Sequence, residues 1–174
     1  MPKKEETPKI KVFISHAVAN EAIAHKLVDL LVSGVGLRSY EIFCSSLLGH
    51  SISTGKGFVE KILSALIEAD VVITILTPNY YESIFCIAEL GGAWTLKKDP
   101  YPIVVSPLKM SDVSAVLLGR QAMKIEDEEA LDVMFDDLKR DLKIAGNATP
   151  IWTRKKKEFI EQVVALIPEQ PKPR

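Results

Sequence analysis

"ADVVITILTPNYYESIFCIAEL", residues 69–90, holds a run from Val71 to Leu76 that is apolar almost throughout. A strand with one wet face alternates apolar and polar residues, whereas a strand covered on both faces does not. The run therefore reads as the central strand of a parallel sheet. "TPNYY", Thr77 to Tyr81, makes the turn out of it, and "ESIFCIAELGGAWTLKK", from Glu82, reads as a helix that carries both Phe85 and Glu89.

The same alternation extends outward in both directions. Upstream, "IKVFIS" (Ile10 to Ser15) is a strand, and Asn20 can cap a helix whose Ile23, Leu27, Leu30 and Leu31 share one face and which Gly34 and Gly36 end. "YEIFC" (Tyr40 to Cys44) is a second strand, and from Phe58 to Ala69 the residues Val59, Ile62, Leu63, Leu66 and Ile67 form a broad helical stripe. Downstream, "YPIVVSPL" (Tyr101 to Leu108) holds a fourth strand with its prolines at the ends, and "QAMKIE" a weaker fifth. Leu131, Met134, Phe135, Leu138 and Leu142 mark the next helix. A last one runs from about Thr153 to Ile167, and its "RKKK" is most simply a solvated face. Residues 1–9 and 168–174 read as polar tails around one domain, residues 10–167.

Alternating β and α units predict an α/β fold, a five-stranded parallel sheet with helices on both faces. Ligands of such sheets bind beyond the carboxyl ends of the strands, where the strand order reverses. The places to search are the loops after Ser15, Cys44 and Leu76.

Composition removes several classes of function. The 174 residues are 47% apolar and 26% charged, with a net charge of −1, which gives no reason to expect a nucleic acid or an anionic membrane as partner. No apolar run is long enough to span a bilayer, and "MPKKEETPK" lacks the apolar stretch of a secretory signal, so a cytoplasmic protein is expected. Cys44 and Cys86 form no CxxC pair or metal-ligand cluster, and read as reduced and half-buried. Gly49 and Gly55-Lys56 suggest a phosphate loop, but five residues intervene where four are needed, and Gly57 replaces the Mg²⁺-binding hydroxyl. No GxGxxG follows a strand, and there is no GxSxG elbow or HExxH helix. "SHA" and "TPN" stand where a phosphoacceptor receiver needs acids.

What remains is Glu89, with Phe85 four residues earlier and one turn nearer the sheet's carboxyl edge. An aromatic ring beside a carboxylate can hold a flat heterocycle and touch its sugar. The plainer reading is a surface glutamate beside a core phenylalanine.

Taken together, "KVFISHAVANEAIAHKL", the serine- and glycine-bearing loop before "GFVEKILSALIEADVVITILTPNYYES", and "FCIAEL" resemble a TIR domain of the bacterial type. The resemblance runs from about Lys11 to Leu142 and implies a flavodoxin-like TIR fold. It also implies an NAD⁺ nucleosidase that releases nicotinamide and leaves ADP-ribose or a cyclic or modified ADP-ribose. In some bacterial members that the chain resembles, the modified product is a signal to a separate effector in defence against phage, and the resemblance implies the same role here. The family's catalytic glutamate matches Glu89, and its ring-stacking tryptophan matches Phe85. The substrate-binding positions implied are Ser15 and His16 after the first strand, Ser45 and Ser46 after the second, and Ser83. Many members carry Arg-Asp and Pro-Gly in the second loop; here stand Ser46-Leu47 and Thr54-Gly55. Ser83 can equally cap a helix, Ser45 and Ser46 can form a turn, His16 can be structural, and Trp94 reads as core.

The chemistry is consistent with one acid. Glycosidases need a second carboxyl group to protonate a leaving oxygen. Nicotinamide leaves a cationic ring as a neutral molecule, so no proton is required, and no metal or cofactor is demanded; NAD⁺ is the substrate. The competing expectations are a TIR module that self-associates without turnover, and an enzyme resembling nucleoside deoxyribosyltransferases.

Overall fold

Five parallel strands in the order β2-β1-β3-β4-β5 make the sheet: β1 (Val12–Ser15), β2 (Ile42–Cys44), β3 (Val71–Leu76), β4 (Tyr101–Val104) and β5 (Met123–Lys124). The computed structural model describes residues 9–44, 56–98, 100–113 and 121–167. β3 is central and every one of its residues is buried, which is why it lacks alternation. The chain leaves β1 toward β2 on one side and returns to β3 on the other, so the strand order reverses between β1 and β3. The register there pairs Ile14 with Ile73 and Ser15 with Thr74.

The helices cover both faces. On one, Val12, Ile14, Ile73 and Ile75 pack against α1 (Glu21–Leu30), α6 (Glu128–Leu142) and α7 (Thr149–Leu166). On the other, Phe13, Val72 and Leu76 meet α2 (Lys56–Glu68) and the helical pair α3 (Pro78–Glu82) and α4 (Ile84–Thr95). A short α5 (Met110–Val113) follows β4. Among the described residues no helix is long and apolar enough to cross a membrane.

Several local expectations are corrected. Asn20 precedes α1 but caps nothing: its Oδ1 accepts from Thr77 Oγ1 at 2.8 Å, tying the exit of β1 to that of β3. Gly34 does not end α1. The helix widens into a π-helical turn, Leu31–Val35, and stops at Gly36, whose φ of +97° suits glycine. Pro102 lies inside β4 rather than at its end, opposite Thr74 and ahead of the point where β5 begins to pair. The turn expected over Thr77 to Tyr81 is itself a short helix, α3, and the helix expected from Glu82 starts instead at Ile84, because Ser83 is extended and its hydroxyl accepts from Cys86 N. Cys44 and Cys86 are fully buried and form no disulfide. Lys9, assigned to the tail, pairs with Asp70 at 2.6 Å. Trp94 is not core but 37% exposed, since α4 buries the face of Cys86, Glu89, Leu90 and Ala93.

The last helix starts at Thr149 because Pro150 suits a first helical turn. Its Trp152 stacks on Phe135 at 4.4 Å and donates from Nε1 to Asp132 at 2.7 Å. Lys156, in the stretch expected to be solvated, is buried and reaches the same carboxylate at 2.8 Å. The π turn packs on this assembly. A Cβ on Gly34 would lie 2.9 Å from Leu30 Cδ1 and 3.3 Å from Lys155 Cβ and Trp152 Cε3.

Gly34→Ala is accordingly expected to destabilise the fold by about 1–3 kcal/mol through overpacking against the stacked Trp152 ring. Gly91→Ala, inside α4 where an added Cβ meets nothing, should stabilise it by about 0.5–1 kcal/mol. Thermal melts of the two variants check both, and a Gly34→Ala protein as stable as the parent contradicts this packing.

Candidate active site at the carboxyl edge of β1 and β3

Three hydroxyl-bearing side chains, Thr77, Tyr80 and Ser15, build the approach to Glu89. Thr77 caps α3: its Oγ1 accepts from Tyr80 N at 3.1 Å while donating to Asn20. That cap turns the chain at once after β3 and drives the Tyr80 ring into the core, where it is fully buried. Tyr80 Oη donates to the carbonyl of Cys86 at 3.1 Å and lies 3.0 Å from Ser15 Oγ. Ser15, the last residue of β1, is 1% exposed and is hydrogen-bonded in turn to Glu89 Oε2. Thr74, beside Ser15 in the register, is fully buried, and its hydroxyl has no partner among the described residues.

Glu89 is 7% exposed. Cys86, Leu90 and Ala93 form the buried stripe of α4, and Glu89 takes a place in it that an apolar residue would ordinarily fill. No ion pair reaches it among the described residues. Desolvation disfavours the charged carboxylate and pushes its pKa up to about 7, against the pull of the Ser15 hydrogen bond. The same burial raises Tyr80 above the ordinary phenol range and the Cys86 thiol to about 11, so both are neutral neighbours.

Phe85 and Glu89 exchange the environments of the plainer sequence reading. The glutamate is the buried residue, and Phe85 is 59% exposed. Its ring meets Phe58 of α2 edge-on, with centroids 6.4 Å apart. An exposed ring, backed by the half-buried Phe58, thus stands one helical turn from a buried acid.

The other expected residues divide. Ser15 is at the site, although its hydroxyl is engaged by Glu89 and Tyr80. Ser83 caps α4, its hydroxyl accepting from Cys86 N at 3.3 Å. His16 is buried, and its electrostatic neighbours are Glu21 and His25 of α1. Its Nδ1 donates to Ala17 O at 2.8 Å, burial lowers its pKa, and Nε2 has no partner among the described residues. A neutral imidazole so arranged offers only an acceptor, suited to a hydroxyl or amide donor and unsuited to a phosphate oxygen. Ser45 and Ser46 lie outside the described residues. Two residues escaped the sequence reading. Tyr80 stands in the quoted turn "TPNYY" but looks like core, and Phe58 stands at the head of an apolar helix.

The burial of Glu89 makes stability depend on pH. The carboxyl titrates near 4.5 in an unfolded chain and near 7 in the fold. Its stabilising contribution is therefore complete below 4.5 and lost as pH rises through 7. The loss amounts to about 3 kcal/mol at roughly 1.4 kcal/mol per pH unit. Glu89→Gln, which cannot ionise, should gain in Tm over the parent between about pH 5 and about pH 8. A difference that stays flat across that range contradicts the buried, uncompensated acid.

A family model described as "TIR domain" matches residues 12–140. Among solved structures, the fold resembles the TIR domain of the Toll-related receptor TRR-2 from Hydra magnipapillata. That chain is 20% identical, with a TM-score of 0.55, covering 76% of this chain and 97% of the other. A curated relative, the uncharacterized protein YddK of Bacillus subtilis (strain 168), is 25% identical over 117 residues, 67% of this chain. The match spans 44% of that relative's length. With the family model matched from β1 to the last turn of α6, this chain belongs to the TIR domain family.

Proposed function

We propose that the chain cleaves the nicotinamide–ribose bond of NAD⁺, with Glu89 as the catalytic carboxylate. The observation that carries this reading is a carboxyl group at the point where the strand order reverses, buried with no cation beside it among the described residues. In the bond-breaking step the C1′–N bond parts heterolytically, its electron pair leaving with neutral nicotinamide, and the ribosyl group becomes an oxocarbenium-like cation. An ionised Glu89 stabilises that cation and accepts a hydrogen bond from a sugar hydroxyl, and both interactions gain strength away from water. Water then captures the cation and yields a proton and ADP-ribose; an internal nucleophile of the same molecule yields a cyclic product instead. Phe85, helped by Phe58, offers a ring face for a flat heterocycle. NAD⁺ acts as substrate, and the scheme asks for no metal or returning cofactor. The product would be a diffusible signal read by another protein, as in defence against phage.

Three results are expected. Purified protein releases nicotinamide from NAD⁺, and Glu89→Gln lowers turnover by at least about 100-fold while folding normally. The rate falls about tenfold per pH unit well below about 7, because the ionised carboxylate is the working form and its pKa is raised. Phe85→Ala weakens substrate binding by about 1–3 kcal/mol, read as a rise in KM larger than the fall in kcat. No nicotinamide release at high protein concentration, with or without a crowding agent, would overturn the proposal.

A second reading, a module that self-associates without turnover, is favoured by apolar side chains left in water. Ile84 is 86% exposed, and Ile87 on α4 and Val59, Leu63 and Ile67 on α2 are also exposed. Concentration-dependent assembly with NAD⁺ left intact selects it.

A further inference from the structure

The chain Glu89–Ser15–Tyr80–Cys86 has three oxygen–oxygen contacts in series. Its far end, the Cys86 carbonyl, can only accept. With Glu89 protonated, three protons serve three contacts: Glu89 donates to Ser15, Ser15 to Tyr80, and Tyr80 to the carbonyl. With Glu89 ionised, two protons remain for the same three contacts. Ser15 then donates to Glu89, and one oxygen pair elsewhere in the chain faces its neighbour with no hydrogen between them. Buried and closed to water, that mismatch has no cheap remedy.

We infer that Tyr80, acting through Ser15, is a positioning residue that holds Glu89 in its acid form, and that the carboxylate is released when it turns from Ser15 to a ligand hydroxyl. After that turn the count balances again. Two protons serve the two contacts Ser15 to Tyr80 and Tyr80 to the carbonyl, while the ligand's O–H serves Glu89. The carboxyl proton goes to solvent, so the site favours a ligand that presents a hydroxyl donor over one that presents only acceptors.

No charged group offers another explanation among the described residues. From β1, Ser15 faces Glu89 and is neutral. α3 contributes the Tyr80 phenol and α4 the Cys86 thiol, both held protonated. β3 contributes Thr74. On α2, Glu60, Lys61 and Glu68 are exposed.

The inference rests on the proposed function only in taking Glu89 as the reacting group, and its test needs no substrate. The carboxylic acid C=O band of Glu89, identified by its loss in Glu89→Gln, can be titrated by infrared difference spectroscopy. Tyr80→Phe removes the member that makes the count uneven, so the midpoint should fall by about one pH unit. Ser15→Ala removes the hydroxyl that donates to the carboxylate, so the midpoint should rise. In the Ser15→Ala background, adding Tyr80→Phe should move it no further. If Tyr80→Phe does not fold, 3-fluorotyrosine in place of tyrosine weakens the acceptor at Tyr80 and should also lower the midpoint. Shifts of the same sign in the two single variants, no shift in either, or a full Tyr80→Phe effect without Ser15 overturns the relay. Each of those results leaves nicotinamide release to be judged separately.

Discussion

Burial of the Glu89 carboxyl group, with no cation beside it among the described residues, is the constraint around which this site is organised. A carboxylate removed from water ordinarily recruits an arginine or lysine, or several backbone donors. Here it has one serine hydroxyl, and behind that serine a tyrosine whose proton is directed elsewhere. The remedy inside the fold is to keep the carboxyl protonated. The remedy outside it is a ligand that brings positive charge and a hydroxyl donor together, which a nicotinamide-linked ribose does as its bond breaks.

The sheet order makes this arrangement possible. Because the chain leaves β1 in one direction and enters β3 in the other, the carboxyl ends of the two strands lie side by side with their exit loops diverging. Ser15 closes one strand and Thr77 follows the other. The bond from Thr77 to Asn20 fastens the two exits together, and the Thr77 cap sends Tyr80 inward. α4 then lies across the gap, with Glu89 on its buried stripe. The side chains that count protons therefore belong to elements that the sheet holds rigid, while the Phe85 ring, paired with Phe58, stands outside in water.

The fold was legible in the sequence because burial on both faces suppresses polar residues in β3, and because the helices repeat their apolar residues at helical spacing. Features settled by competition between short-range contacts were less so. Ser83 delays the start of the expected helix to Ile84 because its hydroxyl caps that start, and Asn20 gives its side chain to Thr77 instead of to α1. Lys156 looked solvated within a run of like charges, but its partner Asp132 lies on a different helix. At the site, Glu89 stood out by type and place, yet the plainer reading of it beside Phe85 put both on the wrong side of α4. The spacing of Cys86, Leu90 and Ala93 already placed Glu89 on the inner face. Tyr80 was missed because its hydroxyl meets a residue 65 positions away, a contact that no local pattern announces.

The most direct test of the central claim is a crystal structure of the Glu89→Gln protein with NAD⁺ bound. The account predicts the nicotinamide ribose within hydrogen-bonding distance of the substituted side-chain amide at position 89, with the adjoining ring against Phe85. NAD⁺ seated with its ribose away from that position would contradict it.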